Sequence, residues 1–335
     1  MKITYLKYNL LSLSIILTIS ALVSFRDYSI GADTLNYVEH YILNGSFMGF
    51  EPSFRYLIKF FNLITLDPTL FFGFICFLIT IFYYKTYEEL KIDHKVYYTL
   101  ILFSLLLFSS WYINAITNGL RQGIALAILY YALVRYFLNK EYFKFIIFLF
   151  LSISFHYSII LVVPFFILYH LLSFNKLLFL WFIVGVFYIF GINEIIFYNL
   201  MNIFGQNEIY LKIKNYSGDV AVAYYGFNWS FFIYTILFPL ISMTISYLSN
   251  NMKKLPTTFI KIYLILCLPY FICGFSNYSN RYAVIAWFFL PLIQLSIIKQ
   301  LNFSRNSLQF ISVTLFCFGI IYFYLIRINY LGVFF

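Results

Sequence analysis

The sequence predicts an all-α polytopic membrane protein with about ten or eleven short transmembrane helices. Three observations carry that expectation. Of 335 residues, 63% are apolar and only 10% charged, whereas a soluble domain carries roughly 25% charged residues. The mean hydropathy is +0.87. Apolar runs also recur along the whole chain, separated by short polar segments. So little charge cannot cover a water-facing surface, and the bilayer must be the solvent for most of the chain.

The first run follows Lys2 and Lys7, extends from Leu10 to Val23 and leads into Phe25-Arg26-Asp27 without a small-residue cleavage site. It is expected to be a retained signal anchor. Taken in order, the runs lie at about 8–25, 69–84, 97–115, 121–138, 143–154, 157–172, 177–192, 228–248, 258–275, 282–298 and 307–326. Several fall short of the ~20 residues that cross a full hydrocarbon core, which implies local thinning or polar ends that dip below the surface. The pair flanking Phe155-His156-Tyr157 reads either as two short crossings or as one helix broken at the histidine. Lysine favours two crossings, because one would move Lys253 and Lys254 to the outer side. Residues 1–335 then form a single integral membrane domain with longer extracytoplasmic loops at about 26–68 and 193–227. The first loop holds two amphipathic stretches, 33–43 and 52–66. In the latter, Phe54, Leu57, Ile58, Phe61 and Ile64 recur at helical spacing. The second loop, rich in tyrosine, reads as a lid over substrate or as a solvated connection.

With a cytoplasmic N-terminus, twelve of the fifteen lysines fall on the inner side, as the positive-inside rule asks. Arginine departs from it. Arg26, Arg55, Arg121, Arg281 and Arg327, five of the seven, fall outside. The planar guanidinium clamps phosphate bidentately, which lysine cannot do, so an outer-face anion site explains the asymmetry. The alternative is arginines at helix ends, snorkelling to headgroups. The net charge of +10 would suit nucleic acid, but the basic residues form no dense run, and no nucleic-acid partner is expected. Cys76, Cys267, Cys273 and Cys317 lie inside apolar runs without metal-ligand spacing. They are expected to be small buried residues, and neither metal nor cofactor is expected.

Four polar clusters carry the chemistry. The first runs from Arg26 to Asp33, followed by Tyr37 and Glu51-Pro52. A carboxylate at the membrane edge near arginines suits a general base, or a hydrogen-bonding partner, for a sugar hydroxyl; Asp33 and Glu51 are the candidates, while Asp27 also fits a cap or a pair with Arg26. The second, Asn118-Gly119-Leu120-Arg121-Gln122-Gly123, opens an apolar helix. Its free N–H groups point at any anion, and an arginine beside that positive dipole end is relieved by bound phosphate. In the third, Ser154-Phe155-His156-Tyr157-Ser158, an ionisable residue coincides with a helix break. Such a break within a membrane is tolerated where it lines a cavity or is buried in protein, so His156 reads as a proton shuttle or phosphate ligand. The fourth, Ser276 to Tyr282, repeats with Arg281 the position of Arg121.

The order of these clusters resembles the EpsG family of exopolysaccharide polymerases, related in layout to the Wzy O-antigen polymerases. The resemblance rests on Arg26, Gly31-Ala32-Asp33, Tyr37 and Glu51; on Asn118, Arg121 and Gln122 with Gly123, Ala125 and Ala127 behind them; on Phe155, His156 and Ser158; and on Arg281 and Tyr282. Ile30 stands where the family often has a second glycine. The resemblance implies a GT-C-like fold and a glycosyltransferase of the bacterial inner membrane. Its substrate would be an oligosaccharide on undecaprenyl pyrophosphate, joined into O-antigen, capsule or exopolysaccharide on the extracytoplasmic side. A chain-length regulator is an implied protein partner. In those roles Asp33, Glu51 and His156 would be catalytic, while Arg26, Arg121, Gln122, Arg281, Tyr37, Asn118 and Tyr282 would bind substrate or pyrophosphate. Two rivals share the pattern in part. An O-antigen ligase also uses outer arginines and a histidine, whereas a lipid-linked oligosaccharide flippase would need cations reaching both faces.

Overall fold

In the computed structural model, residues 2–43, 49–89, 95–206, 208, 210–211, 227–248, 254–276, 279–301 and 303–328 are described. Of the loop expected at 193–227, read as a lid or a solvated connection, the first residues are helical and residues 207, 209 and 212–226 lie outside the described ones. Among the described residues the secondary structure is helical, without strands, as expected of an all-α polytopic membrane protein. The helices are α1 (Lys2–Ser24), α2 (Thr34–Ile42), α3 (Pro52–Asn62), α4 (Thr69–Glu89), α5 (Val96–Phe108), α6 (Ser110–Thr117), α7 (Leu120–Phe137) and α8 (Tyr142–Phe155). A 3-10 helix at Tyr157–Phe165 follows, then α9 (Phe166–Leu171), α10 (Phe174–Ile189), α11 (Ile192–Ile203), α12 (Trp229–Leu248), α13 (Lys254–Cys273), α14 (Asn280–Trp287), α15 (Leu290–Gln300) and α16 (Arg305–Tyr322).

Helices stand where the apolar runs predict them. Three spans are long and apolar enough to cross a bilayer outright: Thr69–Glu89, Asn280–Gln300 and Arg305–Leu325. Two bent pairs, α5 with α6 at 72° and α10 with α11 at 93°, raise the count to five. Others, such as Tyr142–Phe155, are shorter, and α7 carries an arginine near each end. The sequence-based figure of ten or eleven therefore includes helices too short or too charged to pass by length and composition.

Two compact units emerge, one of residues 1–159 with 303–335 and one of residues 160–302. In the first, α7 is the hub, buried along most of its length and packed against α4, α6 and α8. The small residues of its first turns make this possible. A Cβ on Gly123 would stand 2.8 Å from both the Cβ and the carbonyl oxygen of Ala115, so α6 and α7 approach too closely for a side chain there. The Ser152 hydroxyl on α8 donates to the Ala125 carbonyl at 2.6 Å. In the same unit α1 packs against α4 and α16 against α5.

In the second unit the hub is α13, packed by α10, α14, α12 and α15. Several of its buried polar groups pair between helices. Trp287 Nε1 donates to Thr235 Oγ1 at 2.8 Å, and Tyr270 donates to the Tyr188 hydroxyl at 3.1 Å. Asn193 Nδ2 donates to the Phe271 carbonyl at 2.9 Å, near the helix end where free carbonyls are expected. Cys76, Cys267 and Cys273 are buried as expected. Cys317 is exposed, because α16 turns that face of its span away from α5.

Candidate active site

The site is assembled within the first unit, around the N-terminal end of α7. Chain geometry fixes it before any charge does. Gly31 has φ +92°, a left-handed conformation that side chains rarely adopt, and a Cβ there would stand 2.8 Å from the Thr117 carbonyl oxygen. That close approach lets the turn after α1 dock on the end of α6. The same carbonyl accepts from Arg26 Nη2 at 3.1 Å and from the Thr34 hydroxyl at 3.0 Å. Asn118 Oδ1 accepts the backbone N–H of Asp33 at 2.7 Å, so Asp33 is pinned beside the start of α7.

Arg26, predicted to face pyrophosphate, is only 3% exposed. Its guanidinium donates to the Val23 and Thr117 carbonyls and lies 4.5 Å from the centre of the Phe72 ring. These contacts suit a residue that holds the turn in place. Asn118 likewise positions Asp33. The Asp33 carboxylate itself has no hydrogen-bonded partner among the described residues and is partly exposed.

Glu51 joins the other two clusters. It precedes Pro52, which occupies the first position of α3, where a missing N–H costs nothing. From there its carboxylate, nearly buried, accepts from two side chains. Arg121 Nη1 donates to Oε2 at 2.7 Å, and His156 Nδ1 donates to Oε1 at 2.7 Å. Burial pushes the Glu51 carboxyl up, but the hydrogen bond from His156, with the charge and hydrogen bond of Arg121, outweighs it and holds the group down at about 2. It is an anchored carboxylate rather than a proton acceptor near neutral pH. Since an ionised carboxylate only accepts, the proton of this bond sits on Nδ1, and Nε2 is left with no protein partner among the described residues.

Helix α8 aims the histidine. It ends at Phe155, and His156 is extended at φ −159° and ψ 118°, swinging its ring toward Glu51. The Ser53 and Ser154 hydroxyls meet at 2.6 Å and tie α3 to the last turn of α8. Arg121 is backed by Phe50, whose ring centre lies 4.5 Å from its guanidinium carbon, and Tyr37 lies within its electrostatic reach. The Phe50 contact and the Ser53–Ser154 tie were not foreseen from the sequence; only the helical spacing of Phe54 and Ile58 hinted that this stretch packs inward.

The structure thus brings together Asp33, Tyr37, Glu51, Asn118, Arg121, Gln122 and His156 in one unit, with Arg26 beneath them. Arg281 and Tyr282 belong to the other unit, at the start of α14, Arg281 exposed and Tyr282 buried. Chemically, the cluster offers an imidazole oriented by a carboxylate, an arginine at a positive helix end and an unpaired carboxylate. That set suits proton abstraction from a hydroxyl beside a developing anion.

No curated protein and no solved structure matches this chain. The EpsG family model matches residues 9–333, nearly the whole sequence. The chain belongs to the EpsG family, the exopolysaccharide polymerase and Wzy-like group.

Proposed function

We propose that this protein joins oligosaccharide repeat units carried on a lipid pyrophosphate, on the extracytoplasmic side of the bacterial inner membrane. The observation that carries the reading is the Arg121–Glu51–His156 network, in which one carboxylate holds an imidazole and a guanidinium side by side. A GT-C-like architecture and undecaprenyl as the lipid go with this reading.

In the reaction, a hydroxyl oxygen of the acceptor unit attacks the anomeric carbon of the donor's reducing-end sugar. The bond from that carbon to the pyrophosphate oxygen breaks, and lipid pyrophosphate leaves with the electron pair. His156 Nε2 takes the hydroxyl proton as the bond forms, while Glu51 fixes the ring through Nδ1. Arg121 and the free N–H groups at the start of α7 stabilise charge on the departing pyrophosphate, with Gln122 beside them. Asp33 accepts a hydrogen bond from an acceptor hydroxyl and orients it. Tyr37 supports Arg121.

The test is reconstitution in vesicles with a synthetic lipid-pyrophosphate-linked oligosaccharide. Wild type extends it into polymer and releases one lipid pyrophosphate per linkage formed, whereas His156→Asn does not. Transfer of the substrate across the bilayer without new glycosidic bonds would replace this reading with a flippase.

A further inference from the structure

Helix α3 has two apolar faces, and protein covers only one. Phe54 and Ile58 are fully buried and Phe61 is 8% exposed, so this face packs inward. On the opposite side Tyr56 is 71%, Phe60 56% and Leu63 87% exposed, and the turn that follows adds Ile64 and Leu66. The helix has 11 residues, about 16 Å, half of the ~30 Å hydrocarbon core, so it is no span. A non-spanning helix that leaves an aromatic and aliphatic face open needs a cover.

We propose that α3 and the turn to Leu66 lie in the membrane interface, with the Tyr56–Phe60–Leu63 face seated in the acyl boundary of the leaflet nearest Glu51. The observation that selects lipid over a protein partner is continuity. The open patch runs within a few residues into Leu70, 57% exposed in the first turn of α4, and α4 is long and apolar enough to cross the bilayer. Between patch and helix, Asp67 accepts from the backbone and hydroxyl of Thr69 and from the Tyr28 hydroxyl, which fixes the point of entry. Lys59 stands exposed beside Phe60, the pairing of cation and ring that anchors helices at headgroup level. Glu51, at the N-terminus of the same helix, is thereby held at headgroup depth. The inference rests on the chain being a membrane protein and not on the polymerase reading, though a site at that depth would meet a lipid-borne pyrophosphate directly.

Spin labels read the depth. Native Cys317, exposed on the spanning helix α16, provides a lipid-facing reference in the wild type. In a Cys317→Ser background, labels are placed at Phe60→Cys and Leu63→Cys, both exposed positions, in phosphatidylethanolamine–phosphatidylglycerol vesicles. The proposal expects collisions with oxygen to exceed those with a water-soluble nickel chelate severalfold at both positions, as at Cys317. Dominant collisions with the nickel chelate would place the face in water and overturn it. Low collision rates with both reagents would mean that protein covers the face, and would overturn it equally.

Discussion

The two ends of α7 each carry an arginine in an ion-pair network, and they are built in opposite senses. At the C-terminal end, Arg135 sits in the last turn, where the helix dipole favours a cation. It donates to Glu89 and Glu141, each at 2.8 Å, and to the Tyr131 hydroxyl; Lys144 adds a second cation on Glu141 and Asn139 donates to Glu89. Two carboxylates meet one arginine, and the cluster joins the ends of α4, α7 and α8. At the N-terminal end, Arg121 stands where the dipole disfavours it, and its one carboxylate is divided with His156. Its buried Nε finds no partner. The C-terminal network is complete without a ligand; the N-terminal one leaves the Arg121 Nε unpaired. The contrast teaches that the number and sharing of partners, more than the presence of an ion pair, separates a structural arginine from one poised for an anion.

That comparison is sharpest at His156, which has no counterpart at the other end. His156→Gln should lower turnover by about 10²–10⁴-fold, the usual range for a general base, with little change in substrate affinity. An equal loss from Arg135→Gln in the same vesicle assay would erase the distinction. Next in size, Asp33→Asn should cost on the order of 10–100-fold, expected of one charge-assisted hydrogen bond of about 1.5–3 kcal/mol, and chiefly as a raised KM for the acceptor. An unaltered KM would remove Asp33 from acceptor binding.

Gly31→Ala probes the support beneath the site. At φ +92°, with the Thr117 carbonyl in the way, it should destabilise by roughly 1–3 kcal/mol and lower activity through the displaced Asp33 turn. Wild-type thermal stability in this variant would mean that the turn docks loosely. Acid offers the mildest perturbation. The Glu51 carboxyl is held at about 2 against a usual value of 4.5. Because its folded-state value is depressed, the stability it contributes is fully present above about pH 4.5 and is lost as pH falls toward 2. Glu51→Gln should flatten the pH dependence of unfolding in that window, and an unchanged profile would contradict the coupling.

Much of the fold was legible because composition and run length report burial in lipid directly. Asn118-Gly119 as the start of α7, the break at His156 and the inward face of α3 were all readable from local pattern. The partnership at the centre of the site was not. Glu51 lies 70 residues from Arg121 and 105 from His156, and nothing local distinguishes it from Asp33 as the acid that receives them. Arg26 looked like a ligand because its chief acceptor, the Thr117 carbonyl, is 91 residues away and any backbone carbonyl looks alike in sequence. Its burial comes from the packed turn and leaves no mark in the local sequence. Arg281 repeats the helix-start signature of Arg121, yet it is exposed, and no carboxylate comparable to Glu51 was foreseen for it.

The most direct test of the account sets the two arginines of α7 against each other in the native host. Arg121→Lys and Arg135→Lys each keep the charge and lose the planar fork. With both variants confirmed at the membrane, the surface polysaccharide is resolved by length on a gel. The account predicts that Arg121→Lys abolishes long chains while single repeat units persist, and that Arg135→Lys leaves the ladder unchanged. An intact ladder in Arg121→Lys, or its loss in both variants, would contradict the claim that only the N-terminal end of α7 meets the substrate.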